Sequence, residues 1–345
     1  MNVFALCRKL PFCGLPSGRI YTTDEEEGCP IVATIYWAAP EEKQEIIDFI
    51  DLVFSKAHKP HDFATLLPKA YGENGDATEH HIIVRENDRI AAVLLCYPVK
   101  MRIGDKVYTI LGIGSVSTHP NVRGKGYLRM MMEMADRRAK ELGAAVAVLS
   151  GQRQRYQYYG FDHGGYQLLA KLEPVNVRHA MRDVPVDELM LVPMEQAHVP
   201  FALELMERGA CYCERTQENF IAVLRTWMNQ PFAILRAGKM IGYVALRPES
   251  KDYCWIAELK LDDEADFPAV MKMLSMQFGG QLEIGAAPWE RVRARWLSSV
   301  CEEYNVAPLG MLKIYDQAQV DEAHQKLNGF LDVFAPLYIS TLDAV

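Results

Sequence analysis

The sequence predicts an α/β protein built on a mixed β-sheet flanked by helices, laid out in two successive copies. Three observations carry this reading. Apolar strands in the first half are joined by turns so short that part of the sheet must be antiparallel. A long amphipathic helix is followed at once by a fully apolar strand, the kind buried at a sheet centre. After a polar segment bracketed by Pro174 and Pro185, the order of elements partly repeats. A chain of 345 residues is also long for one core and suits two domains.

Residues 1–30 have no clear period and carry the acidic run Asp24 to Glu27, so they are expected to be a poorly ordered leader or surface extension. Ile31 to Trp37 is β-branched and aromatic, hence a strand. Pro40 and Glu41-Glu42 open a helix whose stripe is Ile46, Ile47, Phe49, Ile50, Val53 and Phe54. A short helix is expected from Phe63 to Ala70, then strands His81 to Arg85, Arg89 to Lys100 and Val107 to Thr118. A helix from about Gly126 to Leu142 places Leu128, Met131, Met132 and Ala135 on one face and is capped by Gly143. Ala144 to Leu149 is the apolar strand. The second series is expected as a strand at 189–192, helices at 197–208 and 217–228, and a hairpin 232–236/240–247. A strand at 254–261, a helix at 267–278, a strand at 281–285, a helix Trp289 to Tyr304 and a strand at 310–315 complete it. Asp321 to Phe334 reads as a final amphipathic helix.

The chemistry concentrates between Val116 and Arg129. A strand ends, Pro120 marks a turn, and Arg123-Gly124-Lys125-Gly126 leads into the helix through Tyr127 and Leu128. The first amides of a helix have no intrahelical partner and sit at the positive end of its dipole. Glycines let the backbone approach a ligand, and Arg123 and Lys125 add positive charge. A phosphate-bearing cofactor is expected at Arg123 to Leu128. Downstream lies Tyr156-Gln157-Tyr158-Tyr159-Gly160-Phe161.

These two motifs, on a strand–loop–helix–strand order, resemble the GNAT superfamily of acyl-CoA-dependent N-acetyltransferases. Its signature is R/Q-x-x-G-x-G/A with Y-x-x-x-G-F about thirty residues later. Leu128 stands where Gly or Ala is usual, which is similar to the enhanced-intracellular-survival type of multidomain acetyltransferase. The resemblance implies a catalytic domain at 31–173, a degenerate GNAT-like domain at 186–316 and a C-terminal helix and tail at 317–345, short of a full sterol-carrier-like domain. It implies acetyl-CoA as co-substrate, with the backbone of Val116, Ser117 and Thr118 holding the pantetheine arm. The amides of Arg123, Gly124, Lys125, Gly126, Tyr127 and Leu128 would hold the pyrophosphate. Tyr156 takes the position of the tyrosine that protonates the departing thiolate, a role suited to a phenol with an ordinary pKa near ~10.

Ile110 to Ser115, where some members carry a carboxylate base, holds none here, which leaves proton removal through water or an acceptor that arrives neutral. In the second copy Asp262-Asp263-Glu264-Ala265-Asp266 replaces the glycine loop and would repel a pyrophosphate. One cofactor site is therefore expected, with the second copy shaping the acceptor pocket or the contact of a homo-oligomer. The acceptor is a primary amine of a small molecule or a polypeptide. The alternative is a non-catalytic acyl-CoA-binding or regulatory module.

The net charge of −8 argues against a nucleic-acid partner. No apolar run approaches the ~20 residues that cross a bilayer. Arg8 and Lys9 follow the apolar start instead of preceding it, unlike a secretory signal. The 8 cysteines include no C-x-x-C pair, and His80-His81 face opposite sides of a strand, so no metal site and a cytoplasmic setting with reduced thiols are expected.

Overall fold

The computed structural model describes residues 17–23, 30–73, 75–301 and 303–327. The chain begins with strands β1 (Ser17–Thr23) and β2 (Pro30–Trp37). Helix α1 (Lys43–Ala57) buries Ile46, Ile47, Phe49, Ile50 and Val53, five of the six positions of the expected stripe. Pro68 splits the next helical stretch into α2 (Phe63–Leu66) and α3 (Pro68–Tyr71), with the Asp62 carboxylate capping Thr65 N. Strands β3 (His81–Glu86), β4 (Arg89–Ile103) and β5 (Lys106–Thr118) follow, each close to its expected span. Helix α4 (Tyr127–Glu141) ends at left-handed Gly143, where Ala144 N reaches back to Ala139 O at 2.9 Å.

Beyond it run β6 (Val146–Leu149), α5 (Arg153–Tyr156), β7 (Asp162–Leu172), α6 (Pro174–Ala180) and β8 (Leu189–Pro193). Then come α7 (Val199–Glu207), β9 (Cys211–Cys213), α8 (Phe220–Leu224) and the strands β10 (Gln230–Arg236), β11 (Lys239–Ser250) and β12 (Tyr253–Leu261). The chain continues through α9 (Phe267–Phe278), β13 (Gln281–Ala286), α10 (Arg291–Val300), β14 (Glu303–Ile314) and α11 (Gln317–Lys326). No helix among the described residues is long and apolar enough to cross a membrane.

The mixed α/β sheet expected from the sequence is present, and the local differences have physical causes. Residues 17–23, expected in a poorly ordered leader or surface extension, form β1 along β2, with Ser17 opposite Tyr36 and Thr23 opposite Pro30. The helix expected over 217–228 is interrupted, because Trp227 and Met228 are left-handed at φ 59° and 64°. The helix expected from Trp289 to Tyr304 stops at Val300, and Tyr304 instead pairs with Ala170 inside β14. The last helix covers 317–326, started by the Asp316 carboxylate on Gln319 N; Phe330, Leu331 and Phe334 lie outside the described residues.

Two compact units emerge. Among the described residues, the first takes 17–23, 30–61, 77–96 and 115–137, where β1, β2, β3 and β4 pair antiparallel in that order. The second takes the described residues of 62–76, 97–114 and 138–327. In it β5 runs parallel to β6 and β12 parallel to β13, the only parallel pairs among the described strands. Between these pairs lie β14 and β7, so the order is β6, β14, β7, β13. A strand from the last third of the chain thus separates β6 from β7. The core below β12 and β13 is built of Ile234, Val244, Ile256, Val270, Leu274 and Ile284, with α9 and α10 packed on it.

Gly310 is where β14 meets β6: a Cβ there would stand 2.7 Å from the carbonyl oxygen of Leu149. Gly310→Ala must therefore open the strand pairing, and a loss of about 1–3 kcal/mol is expected, read as a lower urea midpoint.

Candidate functional site

The glycine loop belongs to the first unit. Its approach is set by Ser115, left-handed at φ 50° in β5, with Ser117 Oγ donating to Ser115 O at 3.1 Å. Ser117 is buried, while Val116 and Thr118 are half-buried. His119 N donates to Ala91 O at 2.9 Å, and a tight turn over Pro120–Val122 follows. Arg123 is extended and exposed. Gly124 and Gly126 are left-handed at φ 87° and 80°, conformations that side chains disfavour, and a Cβ on either would meet nothing within 4 Å. The backbone is therefore open to a guest just where the fifteen-residue α4 begins.

The loop is anchored from below by a residue that sequence reasoning missed. Glu86, at the end of β3, accepts Lys125 Nζ at 2.8 Å on one oxygen and the Tyr127 hydroxyl on the other. Its carboxylate is 9% exposed. Burial alone would raise its pKa, yet the hydrogen bonds from Lys125 and Tyr127 bring it below the ordinary value, so it is ionised at neutral pH. Lys125, expected beside a phosphate, is thus paired with Glu86. Nothing local in the sequence ties Glu86 to a loop nearly 40 residues downstream.

Tyr156 belongs to the second unit, at the end of α5. Tyr158 is 82% exposed, whereas Tyr156 is 5% exposed, which separates it from the neighbouring tyrosines. Burial pushes its phenol above the ordinary value, opposed by the charge and hydrogen bond of Arg155. Its ring rests on Gly151, where a Cβ would stand 2.5 Å from Tyr156 Cε2. The turn closes at left-handed Gly160, and Phe161 packs inward under the Lys313 ammonium, 6.0 Å from the ring centroid. Arg153 holds Asp162 through two oxygens at 2.8 and 3.1 Å, which keeps that carboxyl down at about 2 and staples the two ends of the segment.

The acidic run before α9 is filled from within. Asp262 pairs with Arg208 at 2.6 Å, Glu264 with Arg293 at 2.6 Å and Asp266 with Arg236 at 2.5 Å, while Asp263 caps Ala265 N at 2.8 Å. The second unit also holds a cavity of about 450 Å³, lined by Tyr97, Lys100, Arg102, Tyr212, Glu214 and Arg215 among others. Below it Arg215 forms two 2.8 Å bonds to Glu258, which also accepts the Tyr243 hydroxyl at 2.6 Å.

Residues 35–164 match the family model described as an acetyltransferase (GNAT) domain. This part of the chain is therefore similar to a GNAT acetyltransferase domain. Among solved structures, a conserved protein of unknown function from Enterococcus faecalis, described as a probable N-acyltransferase, is similar at TM-score 0.65 and 15% identity, over 82% of this chain and 72% of its own. A GCN5-related N-acetyltransferase from Kribbella flavida gives 0.61 and 15%, over 84% and 73%. Eis1 from Mycobacterium abscessus gives 0.59 and 14%, over 84% and 75%. These likenesses are of fold. No curated protein matches the sequence.

Arg215 and Glu258 have side chains only 2% and 8% exposed, so removing one strands the other. Arg215→Ala is expected to lose about 3–5 kcal/mol in urea unfolding, and adding Glu258→Gln should recover part of it.

Proposed function

We propose that the chain is an acetyl-CoA-dependent N-acetyltransferase that moves an acetyl group directly to a primary amine of a small molecule or polypeptide. The observation that carries this is the open, doubly left-handed glycine loop at the start of α4, inside the matched GNAT domain. A diphosphate fits it: backbone N–H donors, space on the glycine side, and the exposed guanidinium of Arg123. Bound there, acetyl-CoA supplies an activated acyl thioester.

The residues then divide the work. The amides of Arg123 to Leu128 bind the diphosphate, and the backbone of Val116, Ser117 and Thr118 orients the arm that leads from it. The ladder of β5 with β6 ends at the pair Ile113–Leu149, and left-handed Ser115 follows two residues on. Tyr156 holds a proton at its phenolic oxygen for the departing sulfur, and its burial keeps the proton on. The 186–316 segment is read as a second, degenerate copy of the same plan: it repeats a parallel pair in β12 and β13, but the place of its loop is taken by ion pairs.

Release of free thiol from acetyl-CoA with a panel of primary amines tests the reaction; tight CoA binding with no turnover on any amine would favour a regulatory module. Gly126→Asp puts a side chain into a left-handed position and a negative charge beside the diphosphate, so CoA affinity should drop at least tenfold in calorimetry, about 1.4 kcal/mol. Tyr156→Phe should lower kcat by about a hundredfold with little change in the KM for acetyl-CoA. Gly151→Ala displaces the same ring and should reproduce part of that loss. A phenol raised above its ordinary value of 10.0 loses its proton only at still higher pH. The alkaline fall of kcat/KM caused by Tyr156 should therefore lie above pH 10, and an earlier fall traced to Tyr156 by its loss in the Phe variant would count against the role.

A further inference from the structure

We infer that Glu86 is the positioning residue of the anion loop: it pre-forms the loop for acyl-CoA and takes no part in the chemical step. The inference rests on the acyl-CoA reading above. Glu86 is the last residue of β3, and the chain turns immediately afterwards through left-handed Asn87 and Asp88, at φ 49° and 59°. That tight turn, the backbone pairing of Glu86 with Ala33 and Arg89, and its burial fix where the carboxylate stands.

Both carboxylate oxygens are used, by Lys125 and by Tyr127, the two residues on either side of Gly126. The most permissive part of the loop is therefore tied at two points to one rigid strand end. Glycine backbones lose the most conformational freedom on ordering, and a binding segment already ordered avoids that loss when its ligand arrives. With the side chains of residues 125 and 127 committed to Glu86, the glycines keep their open face.

The charge balance also fits. A lone carboxylate beside a diphosphate would repel it, but Lys125 at 2.8 Å neutralises Glu86. What Glu86 contributes is geometry, so its loss should appear in acyl-CoA affinity and not in turnover at saturation.

The test compares Glu86→Ala and Glu86→Gln with the parent, measuring CoA affinity by calorimetry and steady-state kinetics in both substrates. Glu86→Ala should raise the CoA Kd and the acetyl-CoA KM about tenfold or more, with kcat within about twofold and the acceptor KM unchanged. Glu86→Gln still accepts the Tyr127 hydroxyl and should recover part of the affinity. Tyr127→Phe should weaken CoA binding in the parent and have less effect on top of Glu86→Ala, because the two changes cut one tie. A folded Glu86→Ala with unchanged KM, or with a fall confined to kcat, overturns the inference. Should Glu86→Ala not fold, unchanged CoA affinity in both Glu86→Gln and Tyr127→Phe overturns it equally. A parent protein that binds no CoA removes the acyl-CoA reading itself, whereas parent binding with indifferent variants removes only the role of Glu86.

Discussion

The second unit depends on one backbone arrangement, the passage of β14 between β6 and β7. Strand β6 is four residues long and wholly buried, with β5 on one side and β14 on the other. Met311 of β14 stands opposite Leu149 of β6 and opposite His163 of β7. The connection from β6 to β7 must therefore step across two strand spacings, roughly 10 Å, instead of one. That step is the segment containing Tyr156. Its closure by Arg153 with Asp162, the left-handed turn at Gly160 and the cover given by Lys313 all follow from bridging an intervening strand. Two glycines make the insertion fit, because a Cβ on Gly164 would stand 2.5 Å from Leu312, and one on Gly310 would crowd Leu149.

Such an insertion explains which parts of the fold were legible. The amphipathic α1, α4 and α9 were readable from period and caps, since each is decided by residues within a few positions of one another. The glycine loop and the Tyr156 motif were readable for the same reason. Strand β14 was not. Tyr304, Asn305 and Val306 are all exposed, so no alternation marks them, and only the distant β7 makes them a strand. Strand β9 is likewise defined by its partner, with Cys213 opposite Met101 and Cys211 opposite Ile103. In the site, Gly151 and Glu86 escaped because their importance lies in what they touch, a ring five residues on and a loop in another part of the chain.

The chain treats the starts of α4 and α9 in opposite ways. Before α4 the chain offers glycine backbone and open space. Before α9 it offers four carboxylates, three of which bind arginines drawn from β10, α10 and the end of α7. Arg293 is the most committed of these, since it also reaches Leu259 O at 3.0 Å and lies 4.9 Å over the Phe267 ring. Carboxylates ahead of α9 already satisfy the helix dipole, and the arginines satisfy the carboxylates. The second position is thus closed by its own ion pairs, and an anion arriving there would have to displace them.

The first position stays open by a subtler balance. The chain carries a net charge of −8, so a polyanionic ligand meets an unfavourable mean field. Near the loop, Lys125 is neutralised by Glu86, and Arg129 pairs with Glu133 at 2.9 Å. Arg123 alone stands exposed among the loop's basic side chains without such a carboxylate. On the proposed acyl-CoA reading, affinity for a diphosphate must then come chiefly from backbone N–H groups, whose dipoles are directional and useful only when fixed. Fixing two left-handed glycines costs conformational entropy, and the buried carboxylate of Glu86 offsets that cost within the fold, before any ligand arrives. A loop that gave Lys125 to the ligand would gain one charge contact and lose the tie that orients every amide around it.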